Sequence, residues 1–418
     1  MFRKATMLLM ISLAIAVTSC SAEDRATADL ARTLESHVRY LASDSLEGRL
    51  VGTPGIEQAA EYIADNFESI GLEPLFDGLY YQDFGLDFAL VDTTSRDTVI
   101  VHNVGGAIRG TDLAGEWLVI GAHYDHLGYG DIASSTPGRR EVHNGADDNA
   151  SGVAAVLEVA RKSIEAERPR RSMAFVCFTG EELGTIGSEY YCENPPHSID
   201  STVAMINLDT VGRLEDNRLI VFGARSAAEF SDILAEANAD YSLDVIEKKE
   251  IYGYSDQNPF YACAIPSVHF FTGAYDDYHS PDDDWDNLNY EGLEVLTSFV
   301  ADFALTLASR AEELTPVIDS EEPSKTGGSR GHGAFLGIIP DFAYGGTGVG
   351  IRGAVPGSPA EAAGLKEDDV ILSINGVPIV DLKGLMQTLV KKSPGDEIEI
   401  RVNRAPSRVT LKATLATR

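Results

Sequence analysis

Apolar residues recur at helical spacing over residues 25–71, in two pieces parted by the glycine-containing stretch 45–55. Residues 80–104 mix aromatic and β-branched side chains, which predicts strands. Beyond them, short apolar runs at 117–122, 172–178, 203–208, 219–222 and 267–271 predict further strands. Helical periodicity at 150–164, 227–237 and 292–314 predicts the helices between and after them. Alternation of this kind predicts an α/β domain over residues 25–314 with a largely parallel central sheet.

Residues 315–333 break the pattern with charged, Gly, Ser and Pro residues, the composition of a linker. The remaining residues 334–418 read differently. Short strands are predicted at 335–338, 348–351, 370–374, 397–402 and 409–413, with one helix at 382–391. That content predicts a second, small, independently folding unit. No internal repeat is present.

Charge narrows the function classes. The chain has 33 basic and 65 acidic residues among 418, a formal net charge of -32. Nucleic-acid binding is excluded on this ground, because phosphates require a basic surface to displace their counterions. At the N-terminus Arg3 and Lys4 precede an apolar run over residues 7–17, too short to span a bilayer, which reads as a secretory signal. It stops at Val17-Thr18-Ser19-Cys20, which resembles a bacterial lipoprotein signal of residues 1–20 and implies lipidation at Cys20. The expected location is the cell envelope, outside the cytoplasm. No later stretch reads as a transmembrane helix, so membrane attachment is expected through lipid alone. Cys177, Cys192 and Cys263 form no disulfide framework.

Functional groups in open α/β sheets gather past the C-terminal ends of strands. Here five segments place histidines or carboxylates at such positions: Gly121-Ala122-His123-Tyr124-Asp125-His126, Ala146-Asp147-Asp148-Asn149-Ala150-Ser151-Gly152, Gly180-Glu181-Glu182, Asn207-Leu208-Asp209 and Tyr278-His279. So many half-buried carboxylates repel one another unless cations stand between them. Imidazole and carboxylate donors without thiolates suit zinc in an open catalytic site. His126, His143 and His269 are read as structural or supporting, and Asp148 as the N-cap of the helix that begins at Ala150.

In this order the motifs resemble the clan MH zinc aminopeptidases over residues 34–307. The resemblance implies a three-layer α/β/α sandwich with a mixed, largely parallel central sheet and two Zn2+ per chain. It also implies that Asp147 bridges the metals, that His123 and Asp209 complete one site, and that Glu182 and His279 complete the other. Glu181 would be the general base, Asp125 would hold the ring of His123, and Tyr278 would steady the reacting carbonyl. The sequence departs from many relatives at Ser255-Asp256-Gln257, where a histidine would be expected after Asp256; that bears on the substrate pocket. The pocket walls are expected from residues 129–142 and 252–260.

The expected activity is that of an exopeptidase acting on peptides, most simply an aminopeptidase. Alternatives on the same site are a carboxypeptidase or dipeptidase and a glutaminyl cyclase, and outside catalysis a peptide-binding protein. Residues 334–418, with Phe335-Leu336-Gly337-Ile338 and Pro356-Gly357-Ser358-Pro359, resemble a PDZ domain of the bacterial envelope-protease type. Such a domain implies that amides of the loop Phe335, Leu336, Gly337 and Ile338 receive the C-terminus of a peptide or partner protein.

Overall fold

The structure is a computed structural model that describes residues 22–91, 95–130, 132–136, 139–249, 251, 255–273, 275–318, 334–389 and 391–417. Residues 1–20, including Cys20, lie outside the described residues, as does most of the linker.

The chain opens with helices α1 (Ala22–Leu41) and α2 (Pro54–Ile70). Proline in the first turn of α2 and Gly71 in a left-handed C-cap fix its ends. Strands β1 (Glu73–Pro74), β2 (Tyr81–Asp87), β3 (Thr98–Ile108) and β4 (Leu113–His123) follow, then helix α3 (Gly152–Glu165), strand β5 (Arg171–Phe178) and helix α4 (Ile186–Glu193). Next come β6 (Thr202–Leu208), β7 (Arg218–Phe222), α5 (Phe230–Ala237), β8 (Asp244–Glu247), α6 (Gln257–Ala262), β9 (Ser267–Phe271) and α7 (Tyr290–Ser309). The second unit comprises β10 (Ala334–Phe335), β11 (Ile338–Pro340), β12 (Val349–Ala354), α8 (Pro359–Ala363), β13 (Val370–Ile374), β14 (Val377–Pro378), α9 (Leu382–Leu389), β15 (Glu397–Arg404), β16 (Ser407–Thr414) and β17 (Ala416–Thr417).

One nine-stranded sheet forms the first unit, in the order β1-β3-β5-β4-β6-β9-β7-β8 with β2 on β3. The central strands β5, β4, β6 and β9 are parallel, whereas β3 joins β5 and β7 joins β9 antiparallel. Alternation along β4 divides the core between the two faces of the sheet. Leu118, Ile120 and Ala122 pack with residues of α1, α2, α3, α5 and α7, and Trp117 and Val119 pack with Tyr191 of α4 and Phe260 of α6. Three layers result, with helices on both faces.

One expectation is corrected. Helix α7 is long and apolar enough by length and composition to cross a membrane. Leu293, Leu296, Phe299, Val300 and Phe303 are nonetheless buried in the main core, so its apolarity is that of an interior helix.

In the second unit β11, β12, β13, β15 and β16 form an antiparallel sheet around a small core that includes Leu336, Ile371, Leu385 and Ile400. A further apolar cluster joins the two units: Ile220, Phe222 and Phe271 of the large sheet meet Ile339, Phe342 and Val355.

Candidate metal centre

Three adjacent parallel strands deliver the chemistry at their C-terminal ends. His123 is the last residue of β4 and pairs across the ladder with Phe178, so Glu181 and Glu182 emerge just beyond β5. On the other side Gly121 pairs with Asn207, which puts Asp209 beyond the end of β6. His279 arrives from the segment after β9, and the turn before α3 enters from above.

That turn decides which aspartate points inward. Gly145 begins it in a left-handed conformation, where an added Cβ would lie 2.2 Å from the Asp148 carbonyl oxygen. Asp148 and Asn149 then adopt non-helical φ/ψ, Asp148 with φ -111° and ψ 88°. Backbone opened in this way turns successive side chains to opposite sides. Asn149 ties the turn to β6, donating to the Leu208 carbonyl at 2.9 Å and accepting from Gly152 N–H at 3.0 Å.

The expectation for Asp147 is therefore corrected. Its carboxylate faces away from the histidines, accepting from Gly212 N–H at 2.7 Å and from the Ser151 hydroxyl at 3.1 Å. Asp148, read from sequence as a helix cap, takes the central place instead. Its Oδ1 lies 3.3 Å from His123 Nε2 and its Oδ2 3.1 Å from His279 Nε2. Asp209 Oδ1 stands 3.4 Å from His123 Nε2, and Glu182 Oε2 stands 3.2 Å from His279 Nε2. His126, set aside in the sequence, completes the second group with its Nδ1 2.8 Å from Glu182 Oε1. His143 instead bonds Ser134 and the Glu141 carbonyl.

The two central rings are oriented alike. His123 Nδ1 donates to the Asp125 carbonyl oxygen at 3.2 Å and His279 Nδ1 to the Ala133 carbonyl at 3.0 Å, which turns both Nε2 atoms toward Asp148. Asp125 differs from expectation in detail, since its carboxylate is 3.7 Å from His123 Nδ1. Its two oxygens accept the backbone N–H groups of Glu181 and Glu182 at 3.1 and 3.3 Å. Tyr278 is exposed at the mouth and stacks on His279 with ring centroids 4.0 Å apart.

A supporting frame lies behind these groups. Asp283 accepts the backbone N–H groups of Asp147 and Asp148 at 3.0–3.1 Å. Arg213 donates to Asp283 at 2.9 Å and to Asp277 at 2.7 Å, and its Nε lies 3.5 Å from Asp147 Oδ2. Arg49 is buried and donates to the carbonyls of Tyr124, Asn144 and Gly145, bracing the loops on both sides of the site. Burial brings its guanidinium down to about 10 despite the carboxylates of Asp148 and Asp125 nearby. Sequence reasoning missed Asp283, Arg213 and Arg49. Arg213 at the end of the polar run after β6, and Asp282 just past the Tyr278-His279 motif, were the signals that pointed toward them.

Electrostatically the centre sorts its carboxyls. Burial opposes ionisation of Glu182, yet His279 and His126 hold it well below the usual carboxylate range. Burial also opposes it at Asp148, where His123 and His279 likewise prevail. Glu181 goes the other way: desolvation, reinforced by Glu182 and Asp209 against the pull of His123, raises it well above its ordinary value. For His123 the burial penalty is outweighed by Asp209, Glu181 and Asp148, which raise it.

The donor set fits a metal. Asp148 Oδ2 and His126 Nε2 are buried without an aligned hydrogen bond among the described residues. With each Nδ1 donating to a carbonyl, Nε2 of His123 and of His279 faces carboxylate oxygens, an arrangement that is favourable only with a proton or a metal ion between them. Two groups, His123 with Asp148 and Asp209, and His126 with Asp148 and Glu182, each gather donor atoms within 4.8 Å of one another. Oxygen and nitrogen donors without thiolate are those of catalytic zinc sites.

In the second unit Leu336 is buried in the small core, and its carbonyl accepts from Ala360 N–H at 2.8 Å. Phe335 pairs with Ala416, Ile338 pairs with Ala354, and Gly337 is left-handed with φ +78°. Strand β11 stands at the edge of its sheet.

The sequence profile of Peptidase family M28 matches residues 103–304, and that of the PDZ domain matches residues 330–415. A probable leucine aminopeptidase of Trichophyton verrucosum is 28% identical over 227 residues, covering 50% of this chain and 56% of that protein. This chain spans 56% of that relative's length and 24% of another, so neither is matched throughout. Among solved structures, an aminopeptidase from Aneurinibacillus sp. strain AM-1 superposes with a TM-score of 0.53 at 19% identity, over 71% of this chain and 98% of that one. A glutaminyl cyclase from Porphyromonas gingivalis does so with a TM-score of 0.54 at 18% identity, over 65% and 96%. At those identities the likeness is one of fold.

Proposed function

From a chain that carries a peptidase family M28 domain and a PDZ domain, we propose a zinc-dependent exopeptidase that removes N-terminal residues from peptides. One observation carries the two-metal form of this reading: Asp148 offers one carboxylate oxygen to each of two histidines, 3.3 and 3.1 Å away. His123 and Asp209 would hold one zinc with Asp148, and His279 and Glu182 the other. His126 would support Glu182 from the side.

Bound zinc lowers the pKa of water toward neutrality and polarises a carbonyl. The chain's own groups divide the remaining work. Glu181, which emerges with Glu182 just beyond β5, would take a proton from the attacking water and return it to the departing amine. Asp125 fixes the backbone of Glu181 and Glu182 so that neighbouring carboxylates serve different ends. Tyr278, stacked on His279, would meet the substrate carbonyl. Strand β11, at the edge of its sheet, would take a peptide C-terminus by strand addition. The N-terminal signal supports export to the envelope with a lipid on Cys20.

A panel of free, N-blocked and C-blocked peptides, assayed with and without chelator beside metal analysis, tests the reading. Release of N-terminal residues from free and C-blocked peptides alone, abolished by chelation, is the expected result. Protein without zinc, or cleavage confined to free C-termini, would overturn it. Cyclisation of an N-terminal glutamine without residue release would point to the cyclase alternative.

A further inference from the structure

The frame behind Asp148 continues beyond the peptidase domain. The Tyr275 hydroxyl donates to the Arg213 carbonyl at 2.6 Å, and the Arg213 guanidinium lies 4.9 Å from the Tyr275 ring centroid. A second guanidinium, that of Arg352, lies 4.8 Å from the same ring. Arg352 belongs to β12, in the PDZ domain. It also passes close over Gly273, where an added Cβ would come within 3.3 Å of Nη1. Glycine at this place leaves room for the arginine to reach the ring.

The PDZ domain is seated to keep Arg352 there. Phe342 meets Phe271 edge-on with centroids 5.0 Å apart, and Lys248 Nζ donates to the carbonyls of Ala343 and Tyr344 at 3.3 and 3.1 Å. Apolar burial and charge-assisted hydrogen bonds thus act on one interface. Beside it the chain runs from β9 through Tyr275 to Asp277, His279 and Asp283. Two guanidinium groups on one ring, held by electrostatic attraction to its face, bias the rotamer of Tyr275.

We propose that Arg352 is a positioning residue of the peptidase site, acting from the PDZ domain through Tyr275 and Arg213 on the Asp283 frame that holds Asp148. The inference rests on the zinc reading above. It makes the C-terminal domain part of the catalytic unit, whereas an independent module could be removed without effect on hydrolysis.

The test uses full-length protein and two variants, Arg352→Ala and Tyr275→Phe, with Glu215→Gln as control. Glu215 pairs with Arg352 at 3.7 Å, is exposed, and is joined to Asp283 and the Arg213 guanidinium by no hydrogen bond among the described residues. Zinc retained per chain after a timed chelator challenge is read beside kcat and KM. Supporting groups of metal ligands change metal affinity by about 10–100-fold when removed, so Arg352→Ala and Tyr275→Phe should each weaken retention toward the lower bound, about tenfold. A fall in kcat at unchanged KM should accompany it, with partial rescue in Arg352→Lys and no change in Glu215→Gln. Equal retention in wild type and both variants would overturn the inference and leave the zinc reading standing. Loss in Arg352→Ala with none in Tyr275→Phe would also overturn it, because the path through the hydroxyl would be broken. Absence of zinc from the wild type would remove the reading beneath it.

Discussion

At the scale of the residue, the division of labour between neighbours is the main finding. Asp147 and Asp148, and likewise Glu181 and Glu182, are chemically equivalent in a sequence. Backbone geometry and hydrogen-bond partners distinguish them. For the aspartates the non-helical φ/ψ at Asp148 sends one carboxylate to the histidines and the other to Gly212 and Ser151. No periodicity in Ala-Asp-Asp-Asn-Ala carries that information, so the motif was legible while its central residue was displaced by one. Two variants separate the roles. Asp148→Asn should lose bound zinc, whereas Glu181→Gln should keep it and lose turnover by about 10²–10⁴-fold, the usual worth of a general base. Metal analysis and steady-state rates on the same preparations check both. Metal-free but fully active Asp148→Asn protein, or full turnover in Glu181→Gln, would refute the assignment concerned.

At the scale of the element, strands and long helices were readable because each repeats a period over enough residues to average out exceptions. Strands β5, β6 and β9 coincide closely with the apolar runs at 172–178, 203–208 and 267–271, and β4 contains the run at 117–122 but begins four residues earlier. Helices α4 and α6 were not foreseen. Each has eight residues or fewer, with no side-chain cap, and is held by packing: Ser188 on Asp256 at 2.6 Å and Tyr191 against Phe260. The same packing covers His197, which lies against Tyr191 and stacks on Trp117 at 4.4 Å between ring centroids. Desolvation, with Arg109 nearby, lowers its pKa to about 4. The unfolded chain therefore binds a proton between the ordinary histidine value near 6.5 and about 4, while the folded chain does not. Stability tied to this ring is present above that window and is lost as pH falls through it. The thermal midpoint of His197→Phe should consequently decline less than that of wild type from pH 7 to pH 4.5, and parallel declines would discount the ring.

At the scale of the molecule, composition argued against nucleic acid and marked two units, but it carried no sign of how they meet. Ile339 falls one residue past the strand read at 335–338, and only the fold turns it toward Phe271 rather than into its own core. Such a contact lies between segments far apart in the chain, where local pattern has no voice. The N-terminal signal belongs at this scale too, since it sets the compartment for the whole chain. Incorporation of labelled fatty acid into the wild type, lost in Cys20→Ala together with membrane association, is the expected outcome. An unlabelled wild type would leave a plain export signal in its place.

The ordering of β5, β4 and β6 side by side has a meaning for descent as well as for chemistry. Neighbouring strands are held about 4.8 Å apart by their ladder of backbone hydrogen bonds, whatever side chains they bear. Ligands planted one per strand end therefore inherit a fixed spacing from the sheet. Loops that carry no such group are free to lengthen, shorten or change composition without moving them, unlike the turn that bears Asp148 and the segment that bears His279. A lineage built on this plan can try new substrates generation after generation while its reactive centre stays on the same ruler.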